Sequence, residues 1–322
     1  MNNQHSRLPQ MDGGLFLTDG GIETTLIFQD GFDLPFFAAF PLLRTPKGLD
    51  ALRRYYRRHA SIAVDRGVGF VLESATWRAS ADWATRLGYS PSELDAANRA
   101  AIDLLHGLRR ELATERTPMV VSGCVGPRGD GYRPDAVMTA AAAQAYHANQ
   151  VRVFADAGAD LATAITMTNS GEAIGIVRAA RAAGLPVVIS FTVETDGQLP
   201  SGETLPEAIA AVDAETGAAA EYFMINCAHP SHFAGALVSA SRSDWVRRVR
   251  GIRANASTCS HAELDKATAL DSGDPVDLGL WYRSLRGQFH HLSVLGGCCG
   301  TDHRHIERIS DACLAEELER AS

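Results

Sequence analysis

Eight short apolar runs, each followed by a helical stretch or a long loop, constrain this fold more than any other feature of the sequence. The runs are Leu15–Asp19, Gly69–Leu72, PMVVSG, ADLATAITMT, PVVISFTV, AEYFMINC, VRGIRANAS and HLSVLGGCC. Alanine-rich helical stretches separate them, predicted near 92–115 and 138–157 and within GEAIGIVRAARAAG and LPEAIAAVDAETG. Most of these helices stop at a glycine just before the next strand, as at Gly184–Pro186; glycine there takes the left-handed turn that ends a helix. Strands that are apolar nearly throughout are covered on both faces, which means a parallel sheet under helices. Eight such units in 322 residues predict a single-domain α/β fold, a (β/α)8 TIM-type barrel. A doubly wound open sheet is the alternative, but no GxGxxG follows the first run. The expected limits are a tail at 1–13, the barrel at 14–315 and a tail at 316–322, with a polar excursion carrying one helix at 254–279.

Composition narrows the function. Hydrophobic residues make up 46% and charged residues 21%, an ordinary soluble balance, and the net charge of −8 argues against a nucleic-acid binder. The one basic cluster, Arg53, Arg54, Arg57 and Arg58, has the spacing of a solvated helix side. The first ten residues lack the apolar core of a signal peptide, and no run is long enough to cross a membrane. Six cysteines are sparse in a chain of this length. Together these predict a cytoplasmic protein with reduced thiols that serve metal binding or chemistry rather than a disulfide frame.

In a barrel of this kind, active groups sit where strands end. Asp19, Glu73, Cys124, Cys227, Asn255, Cys298 and Cys299 all fall at or just past predicted strand ends. Cys227 ends the sixth run, and Cys298 and Cys299 end the eighth, so closure of the barrel brings three sulfurs together. Three thiolates are a natural set for Zn2+ and leave its fourth tetrahedral position open, as a catalytic site requires. Adjacent side chains on a regular strand point to opposite faces, so both neighbouring cysteines reach one ion only where the strand has broken. Gly296, Gly297 and Gly300 are expected to supply the unusual backbone angles for that break. A redox pair at Cys298–Cys299 is the rival reading, although redox pairs usually keep a two-residue gap. Cys313 and Cys259 read as small apolar residues, and Cys124 as a pocket wall that binds no metal. His229, His232, His303 and His305 read as surface or supporting residues, the last two on a first helical turn capped by Thr301.

These residues resemble the homocysteine S-methyltransferase family. The likeness rests on GGCCGT at 296–301, INCAHP at 225–230, TDGGIETTL at 18–26 and SFTVETDGQLPSGETLPEAI at 190–209, and runs from about residue 14 to 312. It implies a barrel whose zinc is held by Cys227, Cys298 and Cys299. It also implies methyl transfer to a thiol such as homocysteine, giving methionine, from donors that differ among members: S-methylmethionine, S-adenosylmethionine, betaine or methyltetrahydrofolate. Zinc takes the proton from a thiol whose pKa is ordinarily about 8.5, and alignment with the donor supplies the rest.

The resemblance further implies that Asp19 takes the substrate ammonium and that the amides of Gly20 and Gly21 take its carboxylate. Thr76 matches a pocket position, and Asn226 and Asn255 match supporting donors. One position departs: where the family commonly has glutamate after its fourth strand, this chain has Ile165 in AITMT. An isoleucine cannot hold an ammonium. Either Glu73 replaces that glutamate, or the acceptor is a different thiol or selenol, or the barrel is a non-catalytic zinc or thiol sensor. The partners are a small thiol and a methyl donor, with no nucleic acid and no membrane. Neither the donor nor a homo-oligomeric state can be read from the sequence.

Overall fold

A computed structural model describes residues 8–132 and 137–321, with side chains through 315. Residues 1–7 and the side chains of 316–322 in the two expected tails lie outside the described residues. The strands are β1 (Phe16–Leu17), β2 (Gly69–Glu73), β3 (Met119–Val125), β4 (Leu161–Met167), β5 (Val187–Phe191), β6 (Phe223–Asn226), β7 (Val249–Ala254) and β8 (Val294–Gly297). All pair in parallel and in sequence order, and β8 returns to β1 to close the barrel. This is the predicted (β/α)8 architecture, and each predicted run overlaps one strand.

The helices are α1 (Ile22–Phe28), α2 (Pro46–Arg66), α3 (Ala81–Arg86), α4 (Pro91–Leu112), α5 (Ala140–Asp156), α6 (Ser170–Ala183), α7 (Leu205–Thr216), α8 (Pro230–Ser239), α9 (Asp244–Arg248), α10 (His261–Leu264), α11 (Pro275–Gln288) and α12 (His303–Ala321). Their ends follow local chemistry. Ser90 and Glu93 form a reciprocal capping box at the start of α4. Gly67, Gly184 and Gly217 end α2, α6 and α7 in the left-handed conformation. The arginines at 53, 54, 57 and 58 are exposed along α2, as expected, and Arg57 pairs with Glu111 at 2.8 Å. The excursion after β7 holds α10 and the start of α11 rather than one helix.

Side-chain alternation along the strands builds two apolar layers. Leu17, Phe70, Leu72 and Val121 pack outward against the helices. Phe16, Val71, Val120, Leu161, Val188, Met224 and Val294 fill the floor of the barrel, with Leu8 packed among them. Gln10, in the stretch expected as a tail, is buried near Tyr222. Above this floor the interior turns polar. Ser122 and Thr163 hydrogen-bond each other at 2.8 Å, and Ser190 donates to Asn226 at 2.6 Å. The apolar layer closes one end of the barrel, and the other end carries the functional groups.

Candidate functional site

Three sulfurs converge where β6 and β8 end. The Sγ atoms of Cys227, Cys298 and Cys299 lie within 4.8 Å of one another, the one cluster of metal-capable side chains among the described residues. Cys227 has φ +52°, in the left-handed region that a residue with a β-carbon avoids. Its surroundings hold it there. The Cys227 carbonyl accepts from His261 Nε2 at 2.6 Å, from Asn255 Nδ2 at 3.0 Å and from Thr192 Oγ1 at 3.5 Å. Asn226 accepts from the Thr166 amide and donates to the Thr166 hydroxyl, each at 2.9 Å, and Thr166 Oγ1 lies 3.7 Å from Cys227 Sγ. Asn226 thus braces Thr166 and Asn255 the Cys227 carbonyl.

Strand β8 ends at Gly297, so both following cysteines leave the regular alternation, as two ligands in a row require. The glycines do this differently from expectation. Only Gly300 of the three has a positive φ, +79°. Gly296 and Gly297 are required by space: a β-carbon on Gly296 would strike Thr18, and one on Gly297 would strike Thr301. Thr301 does not cap the last helix. Its hydroxyl donates to the Cys298 carbonyl at 2.7 Å, and Asp302 accepts from the Arg304 amide at 2.9 Å instead. Thr301 thus fixes the cysteine turn, while the neighbouring carboxylate starts α12.

Cys227 and Cys298, 71 residues apart in sequence, have their Cα atoms 5.4 Å apart, so their sulfurs stand within reach of one metal ion or, under oxidation, of each other. Strand ends that bring two cysteines to one point also bring them within bonding reach. The adjacent Cys298 and Cys299 do not pair with each other. Cys124 and Cys313 are buried as expected, whereas Cys259 is exposed on the loop after β7 and packs in no core. None of the four candidate histidines joins the sulfur cluster. His229 caps α8, and His305 is bound by Asp302 and the Ser272 carbonyl.

The substrate end carries more charge than the sequence reading anticipated. Asp19 already has two partners within the chain: its Oδ1 accepts from Arg253 Nη2 at 2.6 Å, and Tyr55 donates to its Oδ2 at 3.1 Å. Arg253 Nη1 also lies 3.6 Å from Glu73 Oε2 inside the barrel. Burial pushes the Glu73 carboxyl up to about 7, and Arg253 only partly opposes this. The Gly21 amide is already donated to the Thr301 carbonyl at 3.0 Å, which leaves Gly20 of the expected amide pair. Thr76 is fully buried, and its hydroxyl donates to the Cys124 carbonyl at 2.8 Å. Asp19, Gly21 and Thr76 thus already have partners within the chain, whereas Glu73 Oε1 and Arg253 Nη1 are buried with no hydrogen-bond partner.

Ile165 is buried, yet it belongs to neither apolar cluster of the core. The β4–β5 register shifts between Ala164 and Met167, and Thr166 has φ +65°. This is a bulge of the kind that re-aims side chains beside a site. Trp77 Nε1 donates to the Ile165 carbonyl at 3.3 Å.

Four groups were not singled out from the sequence. The Tyr132 hydroxyl lies 3.5 Å from Cys299 Sγ, and its ring stacks on His261 at 4.0 Å. His261 joins Glu194, 3.0 Å from its Nδ1, to the Cys227 carbonyl. Glu23, on the first turn of α1, is a partly buried carboxylate that accepts from its own backbone amide and pairs with no cationic side chain. Glu23 and Glu194 lay inside the quoted motifs, but nothing in their spacing marked them. Tyr132 sits on an aperiodic loop, and His261 opens the one-turn helix α10.

The donor set fits a thiophilic ion. Its sulfurs converge from two strand ends, and burial pushes the Cys299 thiol up. A cation would favour the ionised form that burial opposes.

The family model described as homocysteine S-methyltransferase matches residues 16–313. Among solved structures, the homocysteine methyltransferase MmuM from Escherichia coli is similar in its oxidized form, with a TM-score of 0.73 and 21% identity over 96% of this chain and 99% of that one. Its metallated form gives 0.69 and 21%, over 94% and 96%. At that identity the likeness is one of fold. No curated protein gives a significant match. With its match spanning nearly the whole barrel, the chain belongs to the homocysteine S-methyltransferase family.

Proposed function

We propose that the protein is a zinc-dependent S-methyltransferase that moves a methyl group from a sulfonium or betaine-type donor to a small thiol. The observation that carries this reading is the convergence of Cys227, Cys298 and Cys299 at the open end of a closed barrel. These three residues would hold zinc, which supplies the electrophilic pull that ionises a thiol near neutral pH and keeps a fourth position for it.

The rest of the work falls to the chain. Asn255 and His261 fix the Cys227 backbone, and the Tyr132 hydroxyl lies 3.5 Å from Cys299 Sγ. The apolar floor and the polar layer above it hold the site rigid, so that acceptor and donor meet in line. The reaction is a displacement at carbon: the acceptor sulfur forms a bond to the methyl carbon, and the donor leaves with the electron pair of the broken bond.

The acceptor is less tightly specified than the chemistry. Homocysteine is the first to test. A different thiol or selenol is the second reading, favoured by Ile165 and by Arg253 occupying both Asp19 and Glu73. A matrix of sulfonium and betaine donors against several thiols, run on zinc-loaded protein, tests both. Full turnover by metal-free protein would overturn zinc dependence. Binding without turnover for every pair would favour a sensor.

A further inference from the structure

The carboxylates at the barrel mouth are not equivalent. Asp19 is bound to Arg253 and Tyr55, Glu73 faces Arg253, and Glu194 faces His261. Ile165 lines the β4 side with no charge at all. Glu23 differs from all of these. It stands two residues past Gly21, whose amide is bound to Thr301 and whose α-carbon leaves no room for a side chain beside the Cys298 carbonyl. Glu23 is thereby anchored next to the cysteine turn.

Its electrostatic neighbours are Asp19, Arg78 and Arg253, from the ends of β1, β2 and β7, and it acts in turn on Cys299 after β8. Neither arginine pairs with it. Arg253 is shared between Asp19 and Glu73, and Arg78 is held between the rings of Trp77 and Trp83, at 4.0 and 3.9 Å, with its Nη1 donating to Gly129. A partly buried carboxylate held only by its own amide, with no counter-ion, is costly beside a cluster of sulfurs unless a ligand completes it. Burial raises its pKa to about 7, the response of a carboxyl short of a counter-ion.

We infer that Glu23 receives the positive pole of a substrate, a cationic nitrogen or sulfur held beside the reacting thiol, and so takes the charge-recognition role that Ile165 cannot fill. The inference rests on the methyltransferase reading for the identity of the ligands, but not on turnover for its test. Two sources carry such a pole: the α-ammonium of an amino-acid thiol, and the sulfonium or quaternary ammonium of the donor.

Calorimetric titration of zinc-loaded wild type and Glu23→Gln with three probes separates them. The probes are homocysteine, 4-mercaptobutyrate, which lacks the amine, and S-methylmethionine. Glutamine keeps the shape and removes the charge, and equal zinc content and thermal midpoint in both proteins show that the fold is retained. If the acceptor supplies the cation, the variant binds homocysteine roughly tenfold or more weakly and 4-mercaptobutyrate unchanged, as loss of a charged hydrogen bond predicts. If the donor supplies it, S-methylmethionine alone weakens by a similar factor. Glu23→Asp should recover part of either loss. Unchanged affinity for all three probes overturns the role of Glu23 while leaving the methyltransferase reading intact. A wild type that binds no thiol overturns that reading and this assignment with it.

Discussion

Arg253 donates to Asp19 across 2.6 Å at the mouth of the barrel, with both side chains more than nine-tenths buried. The same guanidinium faces Glu73 at 3.6 Å. One cation thus compensates two buried carboxylates contributed by β2 and the end of β1. Removing it leaves both without a counter-ion. Arg253→Met is expected to cost about 3–5 kcal/mol, the usual penalty for an orphaned buried charge. Urea unfolding measures it, and adding Asp19→Asn should recover part of the loss; an unchanged midpoint in the single variant would remove the pair from the account of stability.

Glu73 makes stability depend on pH in a definite direction. Its folded pKa is about 7, above the ordinary 4.5, chiefly through burial. Between those values the folded chain holds a proton that the unfolded chain has released, so this group's contribution falls as pH rises from about 4.5 through 7. Thermal unfolding of wild type and Glu73→Gln from pH 5 to 8 isolates the effect. The variant should gain stability relative to wild type as pH rises, and a constant difference between the two would contradict the assignment.

Metal content discriminates among the cysteines. Cys227→Ser, Cys298→Ser and Cys299→Ser should each lose bound zinc and methyl transfer together, because each removes one of three converging sulfurs. Cys259→Ser, on its exposed loop, should retain both. Elemental analysis of reduced, purified protein provides the measurement, and zinc retained by all three site variants would exclude the cluster as the metal site.

Gly21 governs how closely α1 approaches the cysteine turn. A β-carbon there would sit 2.6 Å from the Cys298 carbonyl oxygen. Gly21→Ala should therefore push the turn outward, lowering stability by about 1–3 kcal/mol, as overpacking does, and weakening zinc binding. Chelator competition and chemical unfolding read the two effects; normal values for both would show that the turn yields without cost.

His261 acts on the site through the backbone of Cys227. With its hydrogen bond to that carbonyl removed, the left-handed conformation loses one of its three restraints. His261→Ala is expected to weaken metal affinity by about 10–100-fold, the usual effect of losing a group that orients a ligand. Competition with a colorimetric chelator tests this, and wild-type affinity would show that Asn255 and Thr192 suffice.

The sequence by itself determined the barrel and the three sulfurs. Strand count and parallel order follow from eight nearly continuous apolar runs, because only strands covered on both faces tolerate that pattern. Cys227, Cys298 and Cys299 were legible because strand ends gather on one face of a barrel whatever their sequence separation. Tertiary structure decided which groups remain open to a substrate. Asp19 read as a ligand site until Arg253, 234 positions away, was seen to occupy it. Gly296 and Gly297 read as sources of unusual backbone angles, but they provide room for Thr18 and Thr301. Tyr132 reaches Cys299 Sγ from a loop and His261 reaches the Cys227 carbonyl from the one-turn α10, with no periodicity to mark either. Periodicity and spacing report on which side of an element a residue lies. Whether a polar side chain is already satisfied depends on partners hundreds of residues distant, and only the closed barrel brings those together.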